Sequence, residues 1–476
     1  MRHRVRLTSI LATTALAAGV LAAVVLPDRS VAAATPSYDF ANPETVASGL
    51  TVPWGMDFLP DGSALVAERN SGRVLRVRPG QAPQQVTTIA GVSASGESGL
   101  LGLAVSPTFA QDDLIYVYFT TATDNRIARL RLSAPATQTP ILTGLARATI
   151  HDGGRIAFGP DRMLYAGVGD ASVSGNAQNM SSRNGKILRM RPDGGVPADN
   201  PFPGSLVYSL GHRNPQGLAW DAQGRLFAVE FGQNTWDEVN LIVPGGNYGW
   251  PTVEGMANDA RFRNPVVQWT TAEASPSGAA ISGDTLYVAA LRGTRLWTVP
   301  LTGNGGAGTP TAVLQGRFGR LRTAVRAPDG TLWVTTSNRD GRGTPAATDD
   351  RILRFRQAGT PPTTPPTTTT PPPTTGGCTA TYQVVQQWTD GFEGGVTVRN
   401  TATTGSASWT VTWTFGNGQA ITNLWNGTAT QNGASVTVRN ADWNGSVPSN
   451  GTTSFGFTAS LASAANTVPA VSCTRT

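Results

Sequence analysis

The sequence predicts an all-β protein, in which a six-bladed β-propeller of four-stranded antiparallel blades is followed by a C-terminal antiparallel β-sandwich. The chain of 476 residues holds 55 Gly and 33 Pro, and only 14% of its residues are charged, a composition typical of turn-rich β-structure. One short pattern recurs six times before residue 358, and a stretch rich in Pro and Thr then precedes a module of different composition. These observations predict two folded domains.

The first 34 residues have the features of an export signal. Arginines at positions 2, 4 and 6 precede an apolar stretch from Leu7 to Leu26, and three alanines follow at positions 32, 33 and 34. This order of charge, apolar stretch and small residues predicts a signal peptide over residues 1–34. We therefore expect a secreted, extracellular protein with no membrane contact after cleavage, and an uncleaved membrane anchor is the alternative.

Residues 35–357 contain the recurring pattern, which is a polar turn, a short apolar run, a loop and an alternating strand. A repeat of three or four strands at intervals of about 50 residues is typical of propeller blades, and six repeats predict six blades. The apolar runs begin near Leu65, Leu114, Leu164, Leu226, Leu286 and Leu332. An irregular β-sandwich is the alternative.

A run of small residues precedes each polar turn, as in Gly99–Leu103. We assign these runs to the innermost strand of each blade, because small side chains let strands crowd around the propeller axis. The residues just before these strands should then line one mouth of the central channel. They are Glu97, His151, Arg213, Arg320 and Arg322. A convergence of charged groups at a channel mouth predicts a polar functional site.

Two histidines remain after removal of the signal, and both stand at predicted channel-facing strand starts. We expect His212 to be structural. We expect His151 to be a general base, because Asp170 follows the next strand of the same blade and a carboxylate can hold an imidazole in place. Arg213 opens the neighbouring blade, where a guanidinium could polarise a substrate oxygen.

Several classes of partner and cofactor can be weighed from motifs. The acidic loop Glu230–Glu238 offers exposed carbonyl oxygens that suit Ca²⁺, although such loops are often only solvated. Gly303, Gly305 and Gly308 match a dinucleotide fingerprint, but no predicted helix follows, which excludes NAD. Without cysteine before residue 378, the propeller cannot hold cysteine-bound haem or iron–sulfur clusters. The sequence contains no dense basic run interleaved with aromatic residues, so we do not expect a nucleic-acid partner.

Ordered motifs across residues 40–357 give the N-terminal domain a specific resemblance. They are Gly99–Gly102, His151–Ile156, Gly211–Gly217, Asp237–Asn240 and Asn247–Pro251. With these motifs the sequence resembles the soluble glucose, aldose and sorbosone dehydrogenases that depend on pyrroloquinoline quinone (PQQ). The resemblance implies a six-bladed propeller that oxidises sugars.

The resemblance also implies roles for the residues at the mouth. His151 would take the proton of the anomeric hydroxyl while a hydride passes to PQQ, and Asp170 would orient His151. Arg213 would bind the substrate and quinone oxygens. The main-chain carbonyls of Gly232 and Gln233 would hold a Ca²⁺ ion that polarises the quinone.

The resemblance also implies residues that bind PQQ and a second Ca²⁺, and this chain differs from the family at one of the cofactor positions. Residues matching those that grip the cofactor are Glu97, Asn214, Arg320 and Arg322. Glu238 and Tyr248 match ligands of a second, structural Ca²⁺. Glucose-oxidising members place a lysine on the cofactor where this chain has Leu291, and Arg292 or Arg295 could substitute for it.

The linker at residues 358–377 is rich in Pro and Thr, which predicts an extended spacer. In the module at residues 378–476, Cys378 and Cys473 are the only cysteines of an exported chain, which predicts a disulfide. Four alternating residues should face a sandwich core, and they are Trp409, Val411, Trp413 and Phe415. Three tryptophans beside polar turns should be exposed for stacking on pyranose rings, and they are Trp388, Trp425 and Trp443.

The module resembles the family-2 carbohydrate-binding modules over nearly its full length, which implies binding to cellulose or a related insoluble β-glucan. The sequence as a whole therefore predicts a secreted sugar dehydrogenase that uses PQQ and Ca²⁺, forms a lactone and passes electrons to an external acceptor. Two alternatives stay open. One is a polysaccharide hydrolase or lyase that uses Glu230, Asp237 and Glu238, and the other is a propeller that only binds glycans.

Overall fold

The computed structural model describes residues 38–358, 377–388, 390–461, 466 and 468–476. The predicted signal peptide and most of the predicted linker lie outside these residues. Among the described residues, no helix combines the length and the apolar character needed to cross a bilayer.

Six four-stranded antiparallel sheets make up the described N-terminal part of the chain. Its strands, in chain order, are β1 Glu44–Ala47; β2 Pro53–Phe58, β3 Ala64–Glu68, β4 Arg73–Val77 and β5 Gln84–Thr88; β6 Leu100–Val105, β7 Leu114–Thr120, β8 Asn125–Arg131 and β9 Ala134–Leu145; β10 Ile156–Phe158, β11 Leu164–Val168, β12 Lys186–Met190 and β13 Val207–Leu210; β14 Pro215–Trp220, β15 Leu226–Glu230, β16 Trp236–Ile242 and β17 Val267–Thr270; β18 Pro276–Ser282, β19 Thr285–Ala290, β20 Arg295–Pro300 and β21 Thr311–Val313; β22 Leu321–Arg326, β23 Leu332–Thr336 and β24 Ile352–Phe355. A short helix, α1, spans Phe109–Asp112, and a 3₁₀ turn spans Ser174–Ala177.

The sheets are successive blades of a propeller, as the sequence predicts. Each predicted apolar run is the second strand of its blade, and each run of small residues contributes to the innermost strand. The innermost strand β2 contacts both β6 and β22, which closes the ring. Glycine is needed there: a Cβ added to Gly55 would lie 2.5 Å from the carbonyl oxygen of Leu101, and one added to Gly102 would lie 2.2 Å from that of Gly154.

The sixth blade is completed by the start of the domain, which the sequence did not predict. Strand β1 pairs antiparallel with β24, so the sheet order is β1-β24-β23-β22. Glu44 forms ion pairs of 2.6 Å with Arg354 and 2.5 Å with Arg356 across this junction. The first strand thereby covers an edge that would otherwise be left unpaired.

The C-terminal module is a sandwich of two four-stranded sheets. Its strands are β25 Cys378–Trp388, β26 Gly391–Asn400, β27 Trp409–Thr414, β28 Ala420–Trp425, β29 Gly427–Asn432, β30 Ser435–Asn440, β31 Thr452–Ser460 and β32 Val471–Arg475. One sheet has the order β25-β26-β31-β28 and the other β29-β30-β27-β32. The four residues predicted to face the core are buried between the sheets together with Phe455 and Phe457.

The predicted disulfide between Cys378 and Cys473 is present and joins β25 to β32. Its 95-residue separation means that it stabilises the module by about 4–5 kcal/mol in the chain-entropy picture. On the module surface, Trp443 is 70% exposed and Trp425 is 38% exposed. The side chain of Trp388 lies outside the described part of the structure, so its predicted exposure stays a prediction.

Candidate active site

The channel mouth collects residues from several blades. Glu97 precedes β6, His151 precedes β10 and Arg213 precedes β14, and the structure links all three by hydrogen bonds. Arg320 and Arg322, at the start of β22, line a cavity that also includes Glu97. The five residues predicted for this mouth therefore form one continuous site.

His151 is held by Asp170, which follows β11 of the same blade. The distance from His151 Nδ1 to Asp170 Oδ1 is 2.8 Å, and both side chains are buried. The indole Nε1 of Trp250 donates to the other carboxylate oxygen of Asp170 at 2.9 Å, and the Ser172 amide donates to Oδ1. Asp170 is thus fixed in place and can in turn fix the imidazole ring.

Arg213 determines which ring nitrogen of His151 accepts a hydrogen bond in this arrangement. Its Nη2 lies 2.8 Å from His151 Nε2, and a guanidinium can only donate hydrogen bonds. His151 Nε2 therefore carries a lone pair, and the proton is on Nδ1, where it is donated to Asp170. Arg213 also donates to the side chain of Gln233 and to the carbonyl of Phe231, and burial lowers its pKa.

The backbone at His151 is held in an unusual conformation by its neighbours. His151 has a φ of +64°, in the left-handed region that residues with a Cβ rarely adopt. The Glu97 carboxylate accepts the His151 amide at 3.0 Å, and the Asn214 amide reaches the same carboxylate oxygen at 3.4 Å. Asn214 also accepts the amide of Gly153. Glu97 and Asn214, predicted as cofactor contacts, thus hold the backbone around His151.

Beside His151 lies a cavity of about 270 Å³ with a strong positive charge. Five arginines against two carboxylates give its lining a formal excess of three positive charges. Its charged lining residues are Arg69, Arg292, Arg320, Arg322, Arg342, Glu97 and Asp340. Leu291 also lines this cavity, where the resemblance places a lysine.

Arg322 is a buried cation of this lining whose hydrogen bonding is incomplete. Its side chain is buried, and its Nε atom has no hydrogen-bond partner among the described residues. Burial lowers its pKa to about 9, and the closest carboxylate, Asp340, is 3.5 Å away. A buried, incompletely paired guanidinium favours an anionic ligand, because an unmade buried hydrogen bond is costly. The cavity therefore fits a flat polycarboxylate such as PQQ.

The predicted Ca²⁺ turn follows β15. Within the described residues, the carbonyl oxygens of Gly232 and Gln233 accept no hydrogen bond. Free main-chain oxygens are ligands that Ca²⁺ prefers, so the turn fits the ion in kind. The described residues contain no cluster of three or more His, Cys, Asp or Glu side chains placed to hold a metal. Ca²⁺ binding thus remains a prediction.

The proposed ligands of the second Ca²⁺ lie deeper in the same blade. Burial, together with the charge of Glu230, raises the pKa of Glu238 to about 8. The Tyr248 hydroxyl donates to Leu241 and accepts from Val243, so only the main-chain oxygen of Tyr248 is suited to a cation.

His212 has the structural role expected of it. Its ring is fully buried, contacts Glu230 at 2.7 Å and Ser209 at 2.8 Å, and stacks on Tyr248 with ring centroids 4.8 Å apart. With both ring nitrogens engaged, His212 supports the strand junction beneath Arg213 and does not reach the cavity lining.

Sequence reasoning missed Trp250, Arg69, Asp340 and Arg342. A signal was present for Arg69, which directly follows β3 just as Asp170 follows β11. The ends of the second strands reach the same mouth as the starts of the innermost strands, because the two strands are antiparallel. Asp340 and Arg342 lie on the loop after β23, and Trp250 enters from a long loop, which no local pattern could place.

Comparison with known proteins identifies the family. Residues 50–354, well over half of the chain, match the glucose/sorbosone dehydrogenase family. The chain belongs to this family. Residues 378–475 match the cellulose binding domain family. Both resemblances predicted from the sequence are confirmed, and so is the assignment of the N-terminal domain to an oxidoreductase family.

Three relatives illustrate the match. The PQQ-bound aldose sugar dehydrogenase of Streptomyces coelicolor is 49% identical, has a TM-score of 0.64, and matches 68% of this chain and 99% of its own. Quinoprotein glucose dehydrogenase B of Acinetobacter calcoaceticus is 34% identical over 46% of this chain, which spans only 54% of that protein. Endoglucanase A of Thermobispora bispora is 55% identical over 80 residues, 17% of this chain and 18% of that protein.

Proposed function

We propose that the protein is an exported aldose dehydrogenase that uses PQQ and Ca²⁺, oxidises the anomeric carbon of a sugar to a lactone and works while attached to cellulose. Family membership supports the reaction class. The contact of Arg213 with Nε2 of a His151 ring that Asp170 orients is the observation that carries the proposal. Proton abstraction from a hydroxyl needs such an imidazole, with its lone pair at a place that a substrate can reach.

The cationic cavity supports PQQ as the cofactor. PQQ has three carboxyl groups, and the lining has three more positive than negative charges. Arg320, Arg322 and Arg292 would hold these carboxylates, since guanidinium groups bind them with paired hydrogen bonds. Glu97 and Asn214 would contact the cofactor on the side of the base, because both already bind the His151 segment. In glucose-oxidising members of the family, a lysine at the position of Leu291 supplies a positive charge to the cofactor. In this chain, Arg69 and Arg342 would supply positive charge in its place.

Oxidation of the sugar removes a proton and a hydride, and different groups of the site would take part in each transfer. His151 Nε2 would accept the proton of the anomeric hydroxyl, and Asp170 would stabilise the imidazolium that forms. Arg213 occupies Nε2 in this structure and would turn to the sugar oxygen when the hydroxyl takes its place. Its charge would then stabilise that oxygen as the proton leaves. PQQ, when bound, supplies the acceptor for the hydride from the anomeric carbon.

The two Ca²⁺ assignments have different support. The main-chain oxygens of Gly232 and Gln233, free of hydrogen bonds in the described residues, would hold the ion of the active site. Glu238 and the main-chain oxygen of Tyr248 would hold the second. A cation there would neutralise two buried carboxylates, Glu230 and Glu238, that otherwise repel each other.

The module supports the place of action. Trp425 and Trp443 expose indole rings, and Gly456 leaves room for Trp425, whose ring would lie 2.4 Å from a Cβ at that position. Flat exposed indoles stack on sugar rings, which suits an insoluble glucan. An external partner would take up the electrons, and the exported location follows from the predicted signal peptide.

Reconstitution tests the proposal. The purified chain, given PQQ and CaCl₂ together, should reduce a dye with an aldose and release a lactone, and omission of either addition should abolish the reaction. Failure across a broad panel of aldoses would contradict the proposal. New reducing ends from cellulose would indicate a hydrolase, and the absence of a quinone complex in a spectral titration would indicate a propeller that only binds glycans.

A further inference from the structure

We propose that Glu254 is a positioning residue, which orders the turn 232–236 so that its carbonyl oxygens face a cation. The inference rests on the proposed function, because it concerns the turn assigned above to Ca²⁺. Glu254 lies on the loop after the Trp250–Pro251 pair, outside every strand, and no motif singled it out.

A single oxygen of Glu254 accepts the main-chain amides of four successive residues. The Oε1 atom lies 2.7 Å from the amide nitrogen of Gln233, 3.1 Å from that of Asn234, 3.0 Å from that of Thr235 and 3.1 Å from that of Trp236. Successive amides that converge on one point form a concave anion site in the backbone. Here the chain fills that site with its own carboxylate.

The direction of two carbonyl groups follows from these contacts. In a planar trans peptide, the N–H of one residue and the C=O of the residue before it point in opposite directions. The Gln233 amide points at Glu254, so the carbonyl of Gly232 points away from it. The Asn234 amide also points at Glu254, so the carbonyl of Gln233 points away as well. Glu254 therefore orients both proposed Ca²⁺ ligands.

Gly232 allows the carboxylate to come this close. A Cβ on Gly232 would lie 2.6 Å from Glu254 Oε1 and only 1.8 Å from the carbonyl oxygen of Trp236. The amide of Gly232 is held separately, because it donates to Asp237 at 2.9 Å. Two carboxylates thus take up the amides of residues 232–236 and leave the carbonyls of Gly232 and Gln233 available.

The negative charge of Glu254 is central to this arrangement. Gln233, Asn234 and Thr235 are exposed, so water competes for their amides. A carboxylate holds amide donors more strongly than a neutral acceptor does, and this stronger binding offsets the conformational entropy that is lost when the turn is ordered. We therefore expect Glu254→Gln to weaken the turn and Glu254→Ala to release it.

The experiment measures cofactor binding without turnover. The full chain, freed of metal, is titrated with PQQ at a series of CaCl₂ concentrations, and the quinone absorbance gives the Ca²⁺ concentration for half-maximal binding. Glu254→Gln should raise this concentration about tenfold, which corresponds to roughly 1.4 kcal/mol, and Glu254→Ala should raise it further. Glu273→Gln is the matched control, because Glu273 also accepts a main-chain amide, that of Thr270 at the end of β17, but lies outside the turn 232–236. It should behave as wild type.

Each outcome decides one point. If saturating Ca²⁺ restores full quinone binding to Glu254→Gln, the variant is folded and its defect lies in the turn, as proposed. If Glu254→Gln lowers the melting temperature but leaves the Ca²⁺ requirement unchanged, Glu254 is only structural and the inference is wrong. If the wild type itself binds PQQ without any Ca²⁺ requirement, the proposed Ca²⁺ dependence fails instead. Should Glu254→Ala not fold, the glutamine variant alone carries the test.

Discussion

Arg213 Nη2 lies 2.8 Å from His151 Nε2, although the two residues precede the innermost strands of neighbouring blades. The contact places a permanent cation against the lone pair of the predicted base. As the proposed base, His151 could act only after a substrate hydroxyl displaces the guanidinium. Loss of His151 and loss of Arg213 should therefore affect different steps of the reaction.

Replacement of the base should affect turnover most. We expect His151→Asn to lower kcat by about 10²–10⁴-fold, the usual contribution of a general base. Asp170→Asn should cause a smaller loss, because an amide oxygen can still accept the Nδ1 proton but cannot stabilise an imidazolium as well. Dye reduction with an aldose measures both variants, and cellulose binding should be unchanged. Retention of more than about a tenth of kcat by His151→Asn would contradict its role as the base.

Replacement of Arg213 by Lys should be damaging although the charge is kept. A lysine has no fork with which to contact His151, Gln233 and the Phe231 carbonyl together. We expect kcat to fall by about 10²-fold, as for loss of a donor to a developing oxyanion. Arg225→Lys is the matched control on the same blade, because Arg225 pairs with Asp221 near the surface. Equal activity of the two variants would argue against a role for Arg213 in stabilising the oxyanion.

Arg322→Met should separate stability from cofactor binding. The pKa of Arg322 is lowered by burial to about 9, which means that the folded protein holds its charge at a cost. A neutral side chain of similar length should leave the melting temperature of the cofactor-free protein unchanged or raise it. The same variant should bind PQQ at least about tenfold more weakly, since a carboxylate partner is lost. A large fall in melting temperature with normal PQQ affinity would show that Arg322 serves the fold alone.

The stability of the metal-free protein should fall as the pH rises from about 5 to 8. Burial and Glu230 raise the pKa of Glu238 to about 8 from an ordinary value of 4.5. Between these values the folded state binds more protons than the unfolded state, so increasing pH favours unfolding. Glu238→Gln should melt roughly a few degrees higher than wild type at pH 8 and no higher at pH 5. If Glu238 holds Ca²⁺, adding the ion at pH 8 should stabilise the wild type but not the variant.

Trp443→Ala should weaken attachment to cellulose without affecting the propeller. Trp443 is 70% exposed, so loss of its indole removes a stacking surface and little core packing. We expect an affinity about tenfold lower in a depletion assay on microcrystalline cellulose, and unchanged oxidation of soluble sugar. Asn432→Ala, at the exposed last residue of β29 in the same module, is the control. Wild-type binding by Trp443→Ala would move the binding surface elsewhere.

The sequence was sufficient for features that depend on local repetition. The six second strands, with Leu65 and Leu332 among their first residues, follow from alternating turns and apolar runs. His151 and Arg213 could be placed at one mouth, because the position of a residue within its repeat determines the end of the blade at which it lies.

Other features depend on contacts distant in the sequence and could not be predicted. The pairing of β1 with β24 requires the closed ring, and no pattern within the segment Glu44–Ala47 indicates it. Glu254 and Trp250 act through a long loop that folds back on two blades. Their roles depend on tertiary geometry and not on a repeated pattern.

The ends of the propeller meet in one sheet, because Glu44 contacts Arg354, 310 positions later in the chain. New termini could therefore be opened at an exposed turn in another blade and the old ends fused by a short peptide, since circular permutation is tolerated where termini are close together. During synthesis on the ribosome, β1 has no partner strand until β24 of the last blade has been made. A chain terminated before Ile352 would lack β24, would expose that unmatched edge to other polypeptides and should be prone to aggregation.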